Sequence, residues 1–174
     1  TLLAFSTYAV GFAARPLGGI VFGHFGDRIG RKSMLVLSLL IMGSATFLIG
    51  CLPTYSTLGV FAPILLVVLR FMQGIGVGGE WGGAVLMAVE HAPKGRRGFF
   101  GSWPQMGVPA GLLISTLVFK LVNSNMSEDA FASYGWRIPF LASAILVIIG
   151  LIIRLKLMES PAFERLKDAR GESR

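Results

Sequence analysis

The sequence predicts an all-α, polytopic transmembrane helix bundle. Three observations carry that reading. Of the 174 residues, 53% are hydrophobic, and the mean hydropathy is +0.70. Only 14% are charged, against roughly 25% in soluble domains. Apolar stretches of about 20 residues, the length that crosses a hydrocarbon core, alternate with short polar segments.

Five spans follow from that alternation, at 1–22, 34–52, 60–89, 99–121 and 137–157. The first carries Arg15-Pro16, where proline should kink a helix, and Gly19 and Gly23, four apart, which should admit a close neighbour. The second is plain apart from Gly43 to Gly50, read as packing, and Pro53 ends it. The third is dense in glycine. The fourth holds Gly107 and Gly111 with Pro104 and Pro109. The fifth opens at Trp136-Arg137, an interfacial aromatic beside a cation, and runs almost purely aliphatic. Its Arg154 and Lys156 are expected to snorkel to the membrane surface. Residues 158–174 change character and read as the start of a cytoplasmic loop. There Ser160-Pro161 resembles a helix start, and Phe163 and Leu166 share a face, as in a short amphipathic helix.

Lys and Arg set the orientation. They cluster in 23–33 (Arg28, Arg31, Lys32), in 91–98 (Lys94, Arg96, Arg97) and after Arg154, while 53–59 and 122–136 contain none. The positive-inside rule puts the basic segments in the cytoplasm. The same clustering at span ends explains the net charge of +7 without a nucleic-acid partner. The lone Cys51 cannot close an internal disulfide. The chain begins at Thr1 inside an apolar run with no secretory signal pattern. It is therefore expected to be a piece of a longer protein with one helix upstream.

Costly residues mark the candidate site. Gly74, Gly76 and Gly79 fall in dinucleotide-loop spacing, but apolar residues continue on both sides and no strand precedes them. They read instead as a face where two backbones touch. Arg70 lies about 15 Å into the third span at 1.5 Å per residue. A charge there costs at least roughly 2.5–3.5 kcal/mol without a cavity or partner. It is either functional or paired with the upstream helix. Glu80, nearly three turns on, cannot reach Arg70. It either binds and releases a proton or pairs with Arg15 at similar depth. Gln105 must hydrogen-bond a solute or a neighbouring helix. Asp27, between two spans, is placed to accept hydrogen bonds at a helix N-terminus. With Arg31, Glu90 and Arg97 it forms a candidate charge cluster on the inner face, and such a network could bias a two-state equilibrium. His24 and His91 have no visible metal partner.

The segment Gly23-His24-Phe25-Gly26-Asp27-Arg28-Ile29-Gly30-Arg31-Lys32 reads as a tight polar hairpin in which Gly26 and Gly30 supply unusual backbone angles. It resembles the loop between the second and third helices of major facilitator superfamily transporters, matched at Gly23, Asp27, Arg28, Gly30, Arg31 and Lys32. Arg70 with its glycines resembles the fourth helix of proton-coupled members. Glu90, Arg97-Gly98 and Gln105 resemble the spacing of sugar porters. The run Gly78-Gly79-Glu80-Trp81-Gly82-Gly83-Ala84 is similar to the metabolite:proton symporter family, whose substrates include organic acids, betaine and proline.

The resemblance implies helices two to six of a twelve-helix fold in a bacterial inner membrane. It implies a secondary active transporter that uses the proton as coupling ion, needs no cofactor or metal, and takes a small-molecule substrate. Arg70 would meet a carboxylate on the first helix or an anionic solute. Gln105 would line the cavity. Asp27 with Arg31, and Glu90 with Arg97, would latch the cytoplasmic side. The partners implied are the lipid bilayer, helix one and the C-terminal half of the same protein, and no nucleic acid. An efflux antiporter or a non-transporting sensor on the same body are the rival readings. Gly107-Val108-Pro109-Ala110-Gly111 matches the antiporter pattern only loosely, and no hydrolytic or phosphate-binding motif points to an enzyme.

Overall fold

The computed structural model describes residues 2–158 and 165. Helices α1 (Leu2–Ile29), α2 (Arg31–Cys51), α3 (Tyr55–Leu58), α4 (Phe61–His91), α5 (Arg97–Ser124), α6 (Glu128–Ala130) and α7 (Arg137–Lys156) follow in order. A π turn at Phe131–Gly135 precedes α7. No strand occurs among the described residues. α2, α4, α5 and α7 are each long and apolar enough to cross a membrane. α1 is long enough at 28 residues, but carries Arg15 and Pro16 mid-helix. Ser160, Pro161, Phe163 and Leu166, expected to form the short amphipathic helix, lie outside the described residues.

The ends of the helices have local causes. α2 stops before Pro53, and α4 before Pro93, because the residue preceding proline is pushed out of the helical region. Ser127 caps α6 by accepting from the Ala130 amide at 3.4 Å. The expected hairpin over 23–33 is much shorter than its polarity suggests. α1 runs on through His24, Gly26, Asp27 and Arg28 to Ile29, and α2 begins at Arg31. The whole reversal falls on Gly30, at φ 109° and ψ 143°, where a Cβ would be strained. Gly26 is helical. The polar side chains end a helix here; they do not form a loop.

α4 is the central element, packed against both α1 and α2, while α7 packs mainly on α2. The α1–α4 contact is made by backbone. A Cβ on Gly74 would collide with the Gly11 carbonyl, one on Gly78 with the Arg15 carbonyl, and one on Gly18 with the Ile75 carbonyl. The predicted glycine face of the third span is therefore real, and its partners rise in step along both chains, so the two helices run the same way. On α1 the close approach uses Gly11 and Gly18, not the expected pair. Gly19 is only in loose contact, 3.8 Å from the Gly78 carbonyl, and Gly23 has nothing within 4 Å. Gly43 and Gly50 seat Val147 and Phe140 of α7, which is the packing role expected for them.

The interior is small: Ala14, Phe22, Leu35, Leu39, Ala45, Ile49, Leu69 and Met87, with Ser38 fully buried and bonded to the Leu35 carbonyl at 3.0 Å. No residue of α5 or α7 is buried. Gly107 and Gly111 on α5 face open space.

Gly78→Leu in the full-length protein should cost roughly 1–3 kcal/mol, the range for overpacking, read as a lowered Tm in detergent. Gly107→Ala, with nothing near its new methyl group, should shift stability by no more than about 0.5 kcal/mol. Equal Tm values for the parent and Gly78→Leu would refute the backbone contact.

Candidate functional site

Two arginines open onto one recess. It lies between α1, α2 and α4, encloses about 380 Å³, and is lined by Thr7, Tyr8, Gly11, Phe12, Arg15, Met42, Thr46, Arg70, Gln73, Gly74 and Val77. Tyr8, Phe12 and Arg15 recur at helical spacing on α1, and Arg70, Gln73 and Val77 do so on α4. Both rows are held opposite one another by the glycine contact described above. The lining contains no carboxylate.

Arg70 is half-buried and ordered by neutral groups. Its Nη1 donates to Gln73 Oε1 at 3.0 Å. Gln73 Nε2 donates to Thr46 Oγ1 at 2.6 Å, and Thr46 donates in turn to the Met42 carbonyl at 2.8 Å. The guanidinium carbon stands 5.2 Å from the Tyr8 ring centre. Arg70 Nε is buried without a hydrogen-bond partner among the described residues. Arg15 is exposed and lies over the Phe12 ring at 3.9 Å, a cation–π contact.

Glu80 does not pair with Arg15. The depths match, since the Arg15 carbonyl abuts Gly78, but the Arg15 side chain turns to Phe12. Glu80 Oε1 instead accepts from Arg154 Nη2, and Arg154 Nη1 donates to the Leu35 carbonyl. The two side chains are only 26% and 16% exposed. Arg154 therefore does not snorkel. A partly buried carboxylate on α4 within reach outcompetes the surface, because an unpaired charge there would be costly.

The charge cluster at the C-terminal end of α4 forms around Arg31. It contacts Asp27 at 3.9 Å, four residues back across the Gly30 junction, and bonds Glu90 on α4. The structure thus brings Asp27, Arg31 and Glu90 together and gives Glu90 Arg31 as a partner, where the resemblance implied Arg97. Asp27 remains 76% exposed. Lys32 Nζ donates to the Leu155 carbonyl of α7 at 2.8 Å. Gly23 lines a small cavity of about 200 Å³ with Asp27, Arg31 and the α4 glycines 78, 79, 82 and 83. Arg28 and Arg97 are exposed. Gln105 on α5 accepts from Trp81 Nε1 at 3.2 Å, so its neighbour is a helix, and both side chains are exposed.

Sequence reasoning missed Gln73, Thr46 and Arg154. Gln73 carried a usable signal, an amide three residues from a membrane-depth arginine, the spacing that puts both on one face. Nothing local marked Thr46 or Arg154 as partners of α4.

The family described as sugar (and other) transporter matches residues 1–174. The inner membrane metabolite transport protein YhjE of Escherichia coli is 53% identical over 172 residues, which is 99% of this chain and 39% of that protein. The shikimate transporter of Escherichia coli is 54% identical over 165 residues, 95% of this chain and 38% of that protein. The chain thus spans about two fifths of the length of the relatives it matches. Among solved structures, the inward-open xylose transporter XylE of E. coli superposes with a TM-score of 0.83 at 21% identity, covering 98% of this chain and 41% of that one. That likeness is one of fold.

Removing either partner of the Glu80–Arg154 pair should cost more than the roughly 1 kcal/mol of an exposed pair and approach the 3–5 of a buried one. A double-mutant cycle with Glu80→Ala and Arg154→Ala, read by chemical unfolding, should return a coupling of at least about 1 kcal/mol. Additive losses would show that the two groups do not interact.

Proposed function

This chain belongs to the sugar (and other) transporter family, within the major facilitator superfamily, and on that premise we propose that the whole protein is a secondary active transporter importing a small polar metabolite with protons. The metabolite is an organic acid, a betaine or a similar solute. Alternating access would come from two six-helix halves rocking around a site near the midplane. The observation that carries the reading is the recess that gathers Arg15 and Arg70 with no carboxylate in its lining. Two guanidinium groups facing one cavity of solute size attract a carboxylate, which arginine binds through paired hydrogen bonds. The 54% identity to the shikimate transporter, itself named for a carboxylic acid, supports the solute class.

Each remaining residue takes a role in that cycle. Arg70 and Arg15 contact the solute. Glu80 carries the proton: protonated, it releases Arg154 and loosens α7 from α4. Gln105, held by Trp81, lines the path toward α5. Asp27, Arg28, Gly30, Arg31, Lys32, Glu90 and Arg97, with Gly23, form the latch on the cytoplasmic side of a bacterial inner membrane. The bias of Lys and Arg toward 23–33, 91–98 and the tail supports that orientation.

The test uses the full-length protein in proteoliposomes with a trapped pH dye. Shikimate, other organic acids, betaines and sugars are added one at a time. One compound should acidify the lumen, and Glu80→Gln should abolish the proton signal. Solute entry without proton movement would return Glu80 to a purely structural pair. Arg70→Ala should abolish uptake while the protein still reaches the membrane, and near-normal uptake by that variant would sink the site assignment.

A further inference from the structure

The hydrogen-bond chain behind Arg70 has a direction, and the direction limits what it can do. Thr46 Oγ1 spends its only hydrogen on the Met42 carbonyl, so toward Gln73 it acts as acceptor. That fixes the Gln73 amide: its NH₂ faces Thr46 and its oxygen faces Arg70. The oxygen accepts from Nη1 alone. The chain starts on the α2 backbone and ends on an α4 cation, and every link is neutral until the last. A carboxylate at position 73 would hold the same nitrogen and cancel its charge. An amide holds it and supplies no counter-charge of its own. The result is an arginine tied at Nη1, with its second amino group unspent and Nε buried without a partner among the described residues.

We propose that Gln73 and Thr46 are the positioning residues for Arg70. They orient its guanidinium from α2 and keep it cationic toward the recess, ready for the carboxylate of the transported solute. This rests on the reading of the recess as the solute site and deepens it. Two helices are needed for the arrangement, so the affinity of Arg70 for a carboxylate depends on α2 and α4 keeping their register. Sliding α2 by one residue would move Thr46 out of reach of Gln73 and release the arginine.

The experiment measures initial uptake of labelled shikimate by the full-length protein, as a function of concentration. Thr46→Val keeps the shape and removes the acceptor. It should raise KM by about fivefold with little change in the maximal rate, the loss expected of one directional hydrogen bond. Gln73→Leu should raise KM by about tenfold or more. Gln73→Glu keeps the shape and the acceptor toward Arg70, and should nevertheless abolish uptake through its internal counter-charge. Thr46→Ser, which restores the oxygen, should return KM to within about twofold of the parent. A merely structural role predicts the opposite ranking, with Gln73→Glu the mildest change and the maximal rate falling with protein amount. If Arg70→Ala abolishes uptake but Thr46→Val, Gln73→Leu and Gln73→Glu transport like the parent, the site reading stands and this inference is overturned. If the unaltered protein takes up no shikimate, or Arg70→Ala transports normally, the carboxylate recess itself fails and the inference falls with it.

Discussion

Two helix backbones in direct contact set the rest of the arrangement. Where Gly74 and Gly78 of α4 meet the Gly11 and Arg15 carbonyls of α1, no side chain fits between. The axes are then as near as helices can come, and dispersion between backbone atoms replaces the hydrophobic drive that a lipid solvent does not supply. Every long side chain flanking this seam must turn outward from it. Tyr8, Phe12 and Arg15 turn to one flank, and Arg70, Gln73 and Val77 turn to meet them. The recess exists because the seam has expelled its neighbours to one side. Phe22 closes the other end, packed over Gly79.

Charges then tie the remaining helices to this pair at separate depths. Arg31 joins α1 to α2 and α2 to α4; Arg154 joins α7 to α4 and α2; Lys32 joins α2 to α7. Such pairs add little as surface decoration, but partly buried ones are expensive to leave open. They therefore act as discrete, make-or-break contacts and not as graded glue. α5 is outside this system. Among the described residues its one side-chain bond to another helix is Gln105 with Trp81, and large apolar groups such as Phe99, Met106 and Leu113 stand exposed along it.

What was legible in the sequence was whatever has a local cause. The helical spans follow from apolar length, and the glycine face of α4 from spacing alone. Arg70 and Glu80 stood out because charge at membrane depth is costly wherever it points. The partners were not legible. Glu80 and Arg154 are 74 positions apart, and the rule for a cation near a span end favours the surface, so Arg154 read as a snorkelling residue. Gln73 was overlooked because a neutral amide beside an arginine looks unremarkable until Thr46 is seen behind it. The segment 23–29 looked like a loop because polarity and loops usually coincide. Here its carboxylate and its one arginine sit on a last helical turn, where Asp27 reaches Arg31 across the junction.

That junction carries a mechanical consequence. With Gly30 as the only non-helical residue between α1 and α2, there is no slack between two rods of 28 and 21 residues. A flexible linker would absorb a tilt of one helix; a one-residue elbow passes it on. The ends of α1 and α2 that meet at this corner therefore cannot separate, and Arg31, bonded to Glu90, ties the corner to α4. Chain length at this corner is itself a working dimension of the protein, set at its minimum by the one residue type whose backbone can make the bend.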